Sequence, residues 1–385
     1  NGATLNGSGL SGSPSGFVVS GQAAPDISGF TITGYSQGFN AQEASGDWTL
    51  SDSTVKNNSF GAIRADGSSG DWTIEDSVIR DGLNDAVDAH DSTGDWTLRG
   101  STVTNRIYAV NTSGQWTIDG VVVRDMSYGS GIATRDSQNA WTIENTAIRN
   151  AATHGIDASF STGDWLVSTT TITNASSSGV SAFTASGDWS VQDSTLRNST
   201  DSGIDAGGTT GAWTVNGNTI VDNDVGVASS GLGPAADATY NWWGACDGPS
   251  GEYDGSGDAA SGNFAVEPYY TDAAQTTLSN QTSSPCGTTG SFDFGMELWD
   301  TTATVTQGSD VTITVAPNNN ADTAVSGTTV ELLVDANSDG PDRDPFGDER
   351  IEVDESAIRR VSPVAWMGKV TGRLNAAVKR LTYGE

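Results

Sequence analysis

Only two histidines occur in this 385-residue chain, and each stands near an aspartate. His90 follows Asp88, and His154 precedes Asp157. A carboxylate and an imidazole within one substrate's reach can move protons to and from a bound sugar, the chemistry of glycan hydrolases and lyases. Asp205 holds the same place in its own segment as Asp157 does. The catalytic candidates are therefore Asp157, Asp205, His154, Asp88 and His90. Aligned by segment, the line Arg64, Asp88, Asn111, Thr134, Asp157, Ser181 and Asp205 forms a polar column. Its ligand-binding candidates are Arg64, Asp88, Asn111, Asp157, Ser181 and Asp205. One step inside lie small residues, Ala62, Ala86, Ala109, Gly131, Gly155, Gly179 and Gly203, which leave room for a polysaccharide.

Spacing argues against one reaction centre among them. Asp157 and Asp205 lie two segments apart, roughly 10 Å if the segments stack as neighbouring strands. Asp88 is three segments from Asp157. Arg64 and Asp88 read first as a cross-strand ion pair, and His154 with Asp157 as a local hydrogen bond. No adjacent Asp-Asp pair occurs in the column, nor an arginine beside a calcium-type acidic cluster. A solvated or binding face fits this pattern better than an active site.

What must position these residues is a repeat. Tryptophans 48, 72, 96, 116, 141, 165, 189 and 213 follow one another at spacings of 24, 24, 20, 25, 24, 24 and 24. Two residues after each stands an aliphatic one, from Leu50 to Val215, and seven after stands another, from Val55 to Ile220. A third apolar column reads Ile63, Val87, Val110, Ile132, Ile156, Val180, Ile204 and Val227. Polar or small residues flank each, the period-2 signature of three short strands per repeat. Gly, Ser, Asp, Asn and Thr between them make turns. Three strands per turn of about 24 residues describe a parallel β-helix, with the tryptophans stacked inside or at an inner corner. Helical repeats need a 3.6-residue period and better helix formers, and propeller blades need about 40 residues. Nine residues after each tryptophan stands Asn or Asp, as in Asn57, Asp81, Asn105 and Asp125, an expected ladder in a buried turn. Lys56, Arg80, Arg124, Arg149 and Arg197 stand eight after it and read as neutralisers of neighbouring aspartates.

The formal net charge is −31, with three lysines in the whole chain. Self-repulsion of this size is tolerated in concentrated salt, so the composition predicts a halophilic protein. It offers no electrostatic footprint for nucleic acid. Cys246 and Cys286 are expected to pair in a disulfide, which favours an oxidising, extracellular setting. No signal peptide and no apolar run long enough to span a membrane is present, which reads as a mature or trimmed start.

Along the chain the sequence predicts a β-helix over 1–236, an aromatic and disulfide cap over 237–290, a small, partial β-sandwich over 291–342, and a basic tail over 343–385. In the tail, Met367, Val370, Leu374, Val378 and Leu381 follow the spacing of an amphipathic helix. Asp335, Asn337 and Asp339 match the first half of an EF-hand loop, but Phe346 replaces the closing glutamate. Calcium is thus the one ion the sequence brings up, and no cofactor is required.

The stacked coils, Phe30-Thr31-Ile32-Thr33-Gly34-Tyr35-Ser36 and the Asn241-Trp242-Trp243-Gly244 segment with Gly248-Pro249 resemble the pectate-lyase-like right-handed β-helix proteins of archaeal and bacterial surfaces. The resemblance spans roughly 1–335 and extends to such proteins of halophilic archaea or their viruses. Residues 297–334 resemble the adhesion-type sandwiches that follow such helices. It implies an all-β fold at an extracellular, cell-surface or virion location, and leaves function open, since this fold hosts lyases, hydrolases, tailspikes and adhesins. The first expectation is a non-catalytic element binding a glycan or a surface protein, assembling through its tail. The alternative is a polysaccharide lyase or glycoside hydrolase on the third-strand face.

Overall fold

The computed structural model describes residues 2–80, 85–230, 236–281 and 286. The sandwich segment, the basic tail and the loop with Asp335, Asn337 and Asp339 lie outside them, as does Asp81. The described residues form a parallel β-helix. Three sheets run its length, with 11, 10 and 12 parallel strands among the described residues. The first sheet collects the strands that begin at the tryptophans, such as Trp48–Ser51 and Trp141–Glu144. The second takes Thr54–Lys56 and its equivalents, the third Gly61–Arg64 and its equivalents.

Alternation sets the core. In Trp48–Ser51, Trp48 and Leu50 face inward and are buried, while Thr49 and Ser51 face out. The eight tryptophans keep 2–4% exposure. Their rings stack at centroid spacings of 4.7–5.2 Å, within 7° of parallel. That spacing is the inter-strand distance itself, so each ring gains a full face of contact from both neighbours. Polar ladders close the corners. Ser53 receives a hydrogen bond from the Phe30 amide, and Ser77 and Ser101 receive the next ones from Ser53 and Ser77. These hydroxyls satisfy backbone groups that the turn leaves unpaired.

The ladder nine residues after the tryptophan is present, but most of it is not buried. Asn57, Asn150, Asn174 and Asn198 are exposed. All its described members have positive φ, between 52° and 83°. Asn and Asp tolerate this left-handed turn better than other side chains, and that explains the column. Amide stacking adds to it: the Asn174 amide donates to Asn150 Oδ1 at 3.0 Å.

Near the start, Phe17 lies in Ser15–Val18 of the third sheet. Asp26–Ser28 belongs to the first sheet. In the 20-residue coil, Ile107 rather than Val110 enters the core, paired with Val87 and Ile132. All four missing residues come out of the turn between the second and third strands. Towards the C-terminal end, Gly257–Ser261 and Phe264–Ala265 prolong the third and first sheets beyond 236. The buried Trp243 packs at that end, and a disulfide joins Cys246 to Cys286 with Cα atoms 4.8 Å apart.

Candidate functional site

The outer face of the third sheet is where the candidates stand. The true register of its outward column is Arg64, Asp88, Tyr108, Ala133, Asp157, Ser181 and Asp205. Tyr108 replaces Asn111 because the shortened turn moves the third strand of that coil forward, and Ala133 replaces Thr134 because it directly follows the inward Ile132. Asn111 sits instead in the following turn at φ 58°, its amide on Asp91 Oδ1 at 2.7 Å. In the column one step before the inward aliphatics, Arg106 stands where Ala109 was expected, beside Ala86.

A second outward column lies two residues further on, at the exit turn: Asp66, His90, Val110, Arg135, Ser159, Phe183 and Gly207. The residue between the columns points inward, as the buried Ala89 does between Asp88 and His90. Pairs across the two columns therefore meet on the surface. Arg64 Nε donates to Asp66 Oδ1 at 2.5 Å, which replaces the expected Arg64–Asp88 pair. His90 Nδ1 lies 2.6 Å from Asp88 Oδ1. Asp157 Oδ1 accepts from the Ser159 hydroxyl at 2.7 Å, and Asp205 Oδ1 from the Gly207 amide at 2.9 Å. The aspartates of the column are thus turn-capping residues first.

This settles the spatial relations of the candidates. Asp157 and Asp205 remain two coils apart with Ser181 between them. Asp157 is further held by Arg135, at 3.4 Å. Ser181 is only 2% exposed, its hydroxyl 3.1 Å from Ser159. His154 makes no bond with Asp157; its Nδ1 accepts the Ser178 amide at 3.3 Å.

The groups that do converge lie around the 20-residue coil. The Arg106 guanidinium is 2.5 Å from Asp85 Oδ1. It lies 4.4 Å from the Tyr108 ring centroid and 4.7 Å from that of Tyr128. Tyr108 is 5.6 Å, centroid to centroid, from the His90 ring. Dropping four residues brings Arg106 and Tyr108 to the sheet beside Asp85, Asp88 and His90. Burial lifts the Asp88 carboxyl above its ordinary value, against the pull of His90. Burial works against charge on His90, but its bond to Asp88 prevails and holds it above the ordinary range. Both groups of the pair therefore hold a proton to higher pH than free side chains do. Burial and the nearby Asp85 also raise the Tyr128 phenol. Sequence reading missed Arg106, Tyr108, Tyr128 and Asp85. One signal marked Arg106 and Tyr108: the inward third-strand residue always stands nine before the next tryptophan, as Ile107 does before Trp116.

An open groove on the first sheet, lined by Asp47, Thr49, Asp71, Thr73 and Asp95, is a weaker candidate. Its carboxylates are used internally: Asp47 accepts the Asp71 amide and Asp71 the Asp95 amide, both at 2.9 Å. Among the described residues the single grouping of metal-type ligands is Cys246, Asp247 and Cys286, and its two thiols are consumed by the disulfide. Arg124 and Arg197 reach Asp125 and Asp222 at 3.0 and 3.5 Å, the neutralising role expected of that column. No helix among the described residues is long and apolar enough to cross a membrane.

Residues 106–242 match the family model of the right-handed β-helix region. Residues 324–385 match a family of unknown function, DUF8007. No curated protein matches the sequence. Among solved structures, the chain is similar to the A-module of mannuronan C-5 epimerase from Azotobacter vinelandii, at 14% identity over 64% of this chain and 73% of that one, with a TM-score of 0.42. It is also similar to the catalytic unit of a GH87 α-1,3-glucanase from Streptomyces thermodiastaticus, at 14% identity over 70% of this chain and 54% of that one, with a TM-score of 0.37. The described residues thus form a parallel β-helix, matched over 106–242 by the right-handed β-helix model, and at these values the likenesses to solved structures carry nothing about its chemistry.

Proposed function

We propose that the chain binds a polysaccharide along the outer face of the third sheet, with one sugar gripped at the 20-residue coil. Arg106 carries this reading. A guanidinium between two tyrosines, on a face otherwise built of repeated turn-capping residues, serves no repeat of the scaffold. Arginine flanked by aromatic rings offers hydrogen-bond donors and apolar ring faces together, the combination a sugar requires. The charge of −31 and the scarcity of lysine support a location in concentrated salt, and the disulfide supports an extracellular or surface one. The basic tail in 343–385 is suited to tie the chain to an acidic neighbour or a second copy. Titration of the full chain in molar KCl with neutral and acidic oligosaccharides tests the reading. Arg106→Ala and Tyr108→Ala should each weaken binding while the β-helix stays folded. Unchanged affinity in both would overturn it.

The Asp88–His90 pair favours a second reading, acid–base chemistry on the bound sugar. An imidazole oriented by a carboxylate, beside a phenol and a guanidinium, can take a proton from carbon or give one to a leaving oxygen. Release of unsaturated or reducing ends from an acidic polysaccharide, abolished by His90→Gln, would establish it. Binding without product would leave the chain a glycan-binding element.

A further inference from the structure

Phe160 and Phe183 stand on neighbouring coils at the exit turn of the third sheet, two and three coils beyond the one that carries Arg106. They are 46% and 45% exposed, with ring centroids 6.0 Å apart and planes at 86°. Two large aromatic side chains left half in water, against one another, need a reason. Phe160 is also strained: its φ is 61°, in the left-handed region. Other coils place Glu43, Gly67, Asp91, Asn111, Asp136, Thr184 and Gly208 at this position, all with positive φ and none of them aromatic. A bulky side chain in a conformation that favours glycine points to a role outside folding.

The surroundings say what the rings face. Gly207 holds the position after Phe183 in the exit-turn column. A side chain there would begin 3.2 Å from the Phe183 ring and 2.9 Å from Asp205 Oδ1. That is too close for any side chain, so glycine there keeps the Phe183 ring and the Asp205 carboxylate as near neighbours with nothing between them. Asp205 Oδ1 accepts the Gly207 amide, and Oδ2 has no partner among the described residues. Alongside, on the preceding coils, Asp157, Ser159 and Ser181 are buried and bonded to one another, so that flank is rigid.

We propose that Phe160, Phe183 and Asp205 form a subsite for one neutral pyranose of the polysaccharide chain, the C–H face of the sugar lying on Phe183 and a hydroxyl donating to Asp205. The subsite rests on the polysaccharide reading given above. A sugar residue has an apolar face and a rim of hydroxyls, which fits a ring next to an open carboxylate oxygen. A uronate is disfavoured, because among the described residues no cation pairs with Asp205 and Arg135 is taken by Asp157. A second copy of the chain is also disfavoured, since two rings offer far less area than a stable interface buries.

The test uses the full chain in molar KCl, with cellohexaose, maltohexaose and a galacturonate hexamer as probes. Saturation-transfer NMR and calorimetry measure binding, and thermal melts follow the fold. At least one neutral probe should bind, and Phe183→Ala and Phe160→Gly should each weaken it about tenfold or more. Phe160→Gly should melt no lower than the parent chain, because glycine relaxes the left-handed turn. Phe183→Tyr should retain binding. Unchanged affinity in both loss variants would overturn the subsite. Binding of the galacturonate alone, sensitive to Arg106→Ala, would overturn the subsite and leave the polysaccharide reading standing. No binding of any probe would overturn both.

Discussion

His90 and Asp88 lie two residues apart at the end of one strand, and their 2.6 Å hydrogen bond exists because both side chains point away from the core while Ala89 between them points in. The bond gives the fold a pH dependence. His90 is held above its ordinary 6.5. Its contribution to stability is complete below 6.5 and is lost as pH rises through the higher folded value. Asp88, raised above 3.8 mainly by burial, contributes in the same direction, with its loss beginning in the acid range. Melts of the parent chain and His90→Gln should therefore differ more near pH 6 than at about pH 8.5. An equal difference at both would show that the pair does not carry the proton assigned to it.

Trp141 should be costly to remove. It is 2% exposed, with Trp116 at 4.9 Å and Trp165 at 4.8 Å on its two faces. Trp141→Ala leaves a cavity that a stack of rings on both sides cannot close, and should cost about 3–5 kcal/mol in chemical denaturation. A variant as stable as the parent would mean that the stack adds little beyond the aliphatic core.

The disulfide closes a sequence separation of 40 residues at the C-terminal end of the coils. Chain entropy alone assigns such a closure about 4 kcal/mol. Paired Cys246→Ser and Cys286→Ser substitutions should lower the melting temperature and expose Trp243 to quenchers before the central coils. A melt unchanged by both substitutions would show that packing at that end is sufficient.

With −31 formal charges, the melting temperature should rise as KCl is raised from dilute to molar concentration. No change would remove the halophilic reading.

Much of this was legible in the residues. The tryptophan period and the aliphatic columns dictate three strands per coil, since inward positions must repeat wherever coils stack. The third strand of the short coil was misread by counting forward from Trp96. The turn between second and third strands varies in length, while the distance from Ile107 on to Trp116 does not. That misreading hid Arg106 and Tyr108, and with them the convergent site. The second outward column escaped because it falls in a turn, where strand alternation gives no guide. Asp157 and Asp205 attracted attention as carboxylates, yet their spacing reflects a turn that every coil must make.

Near-identical coils carry a hazard: a strand can pair with the wrong neighbour and every inward residue still finds an inward partner. A helix wound from uniform 24-residue units could slip by a whole turn with small loss of burial. The coil from Trp96 to Trp116 breaks that degeneracy, because slippage would set its shortened turn against a full-length one and strand Arg106 without Asp85. The same irregularity that gathers the polar cluster thus serves as an index mark, fixing which coil is which as the chain winds.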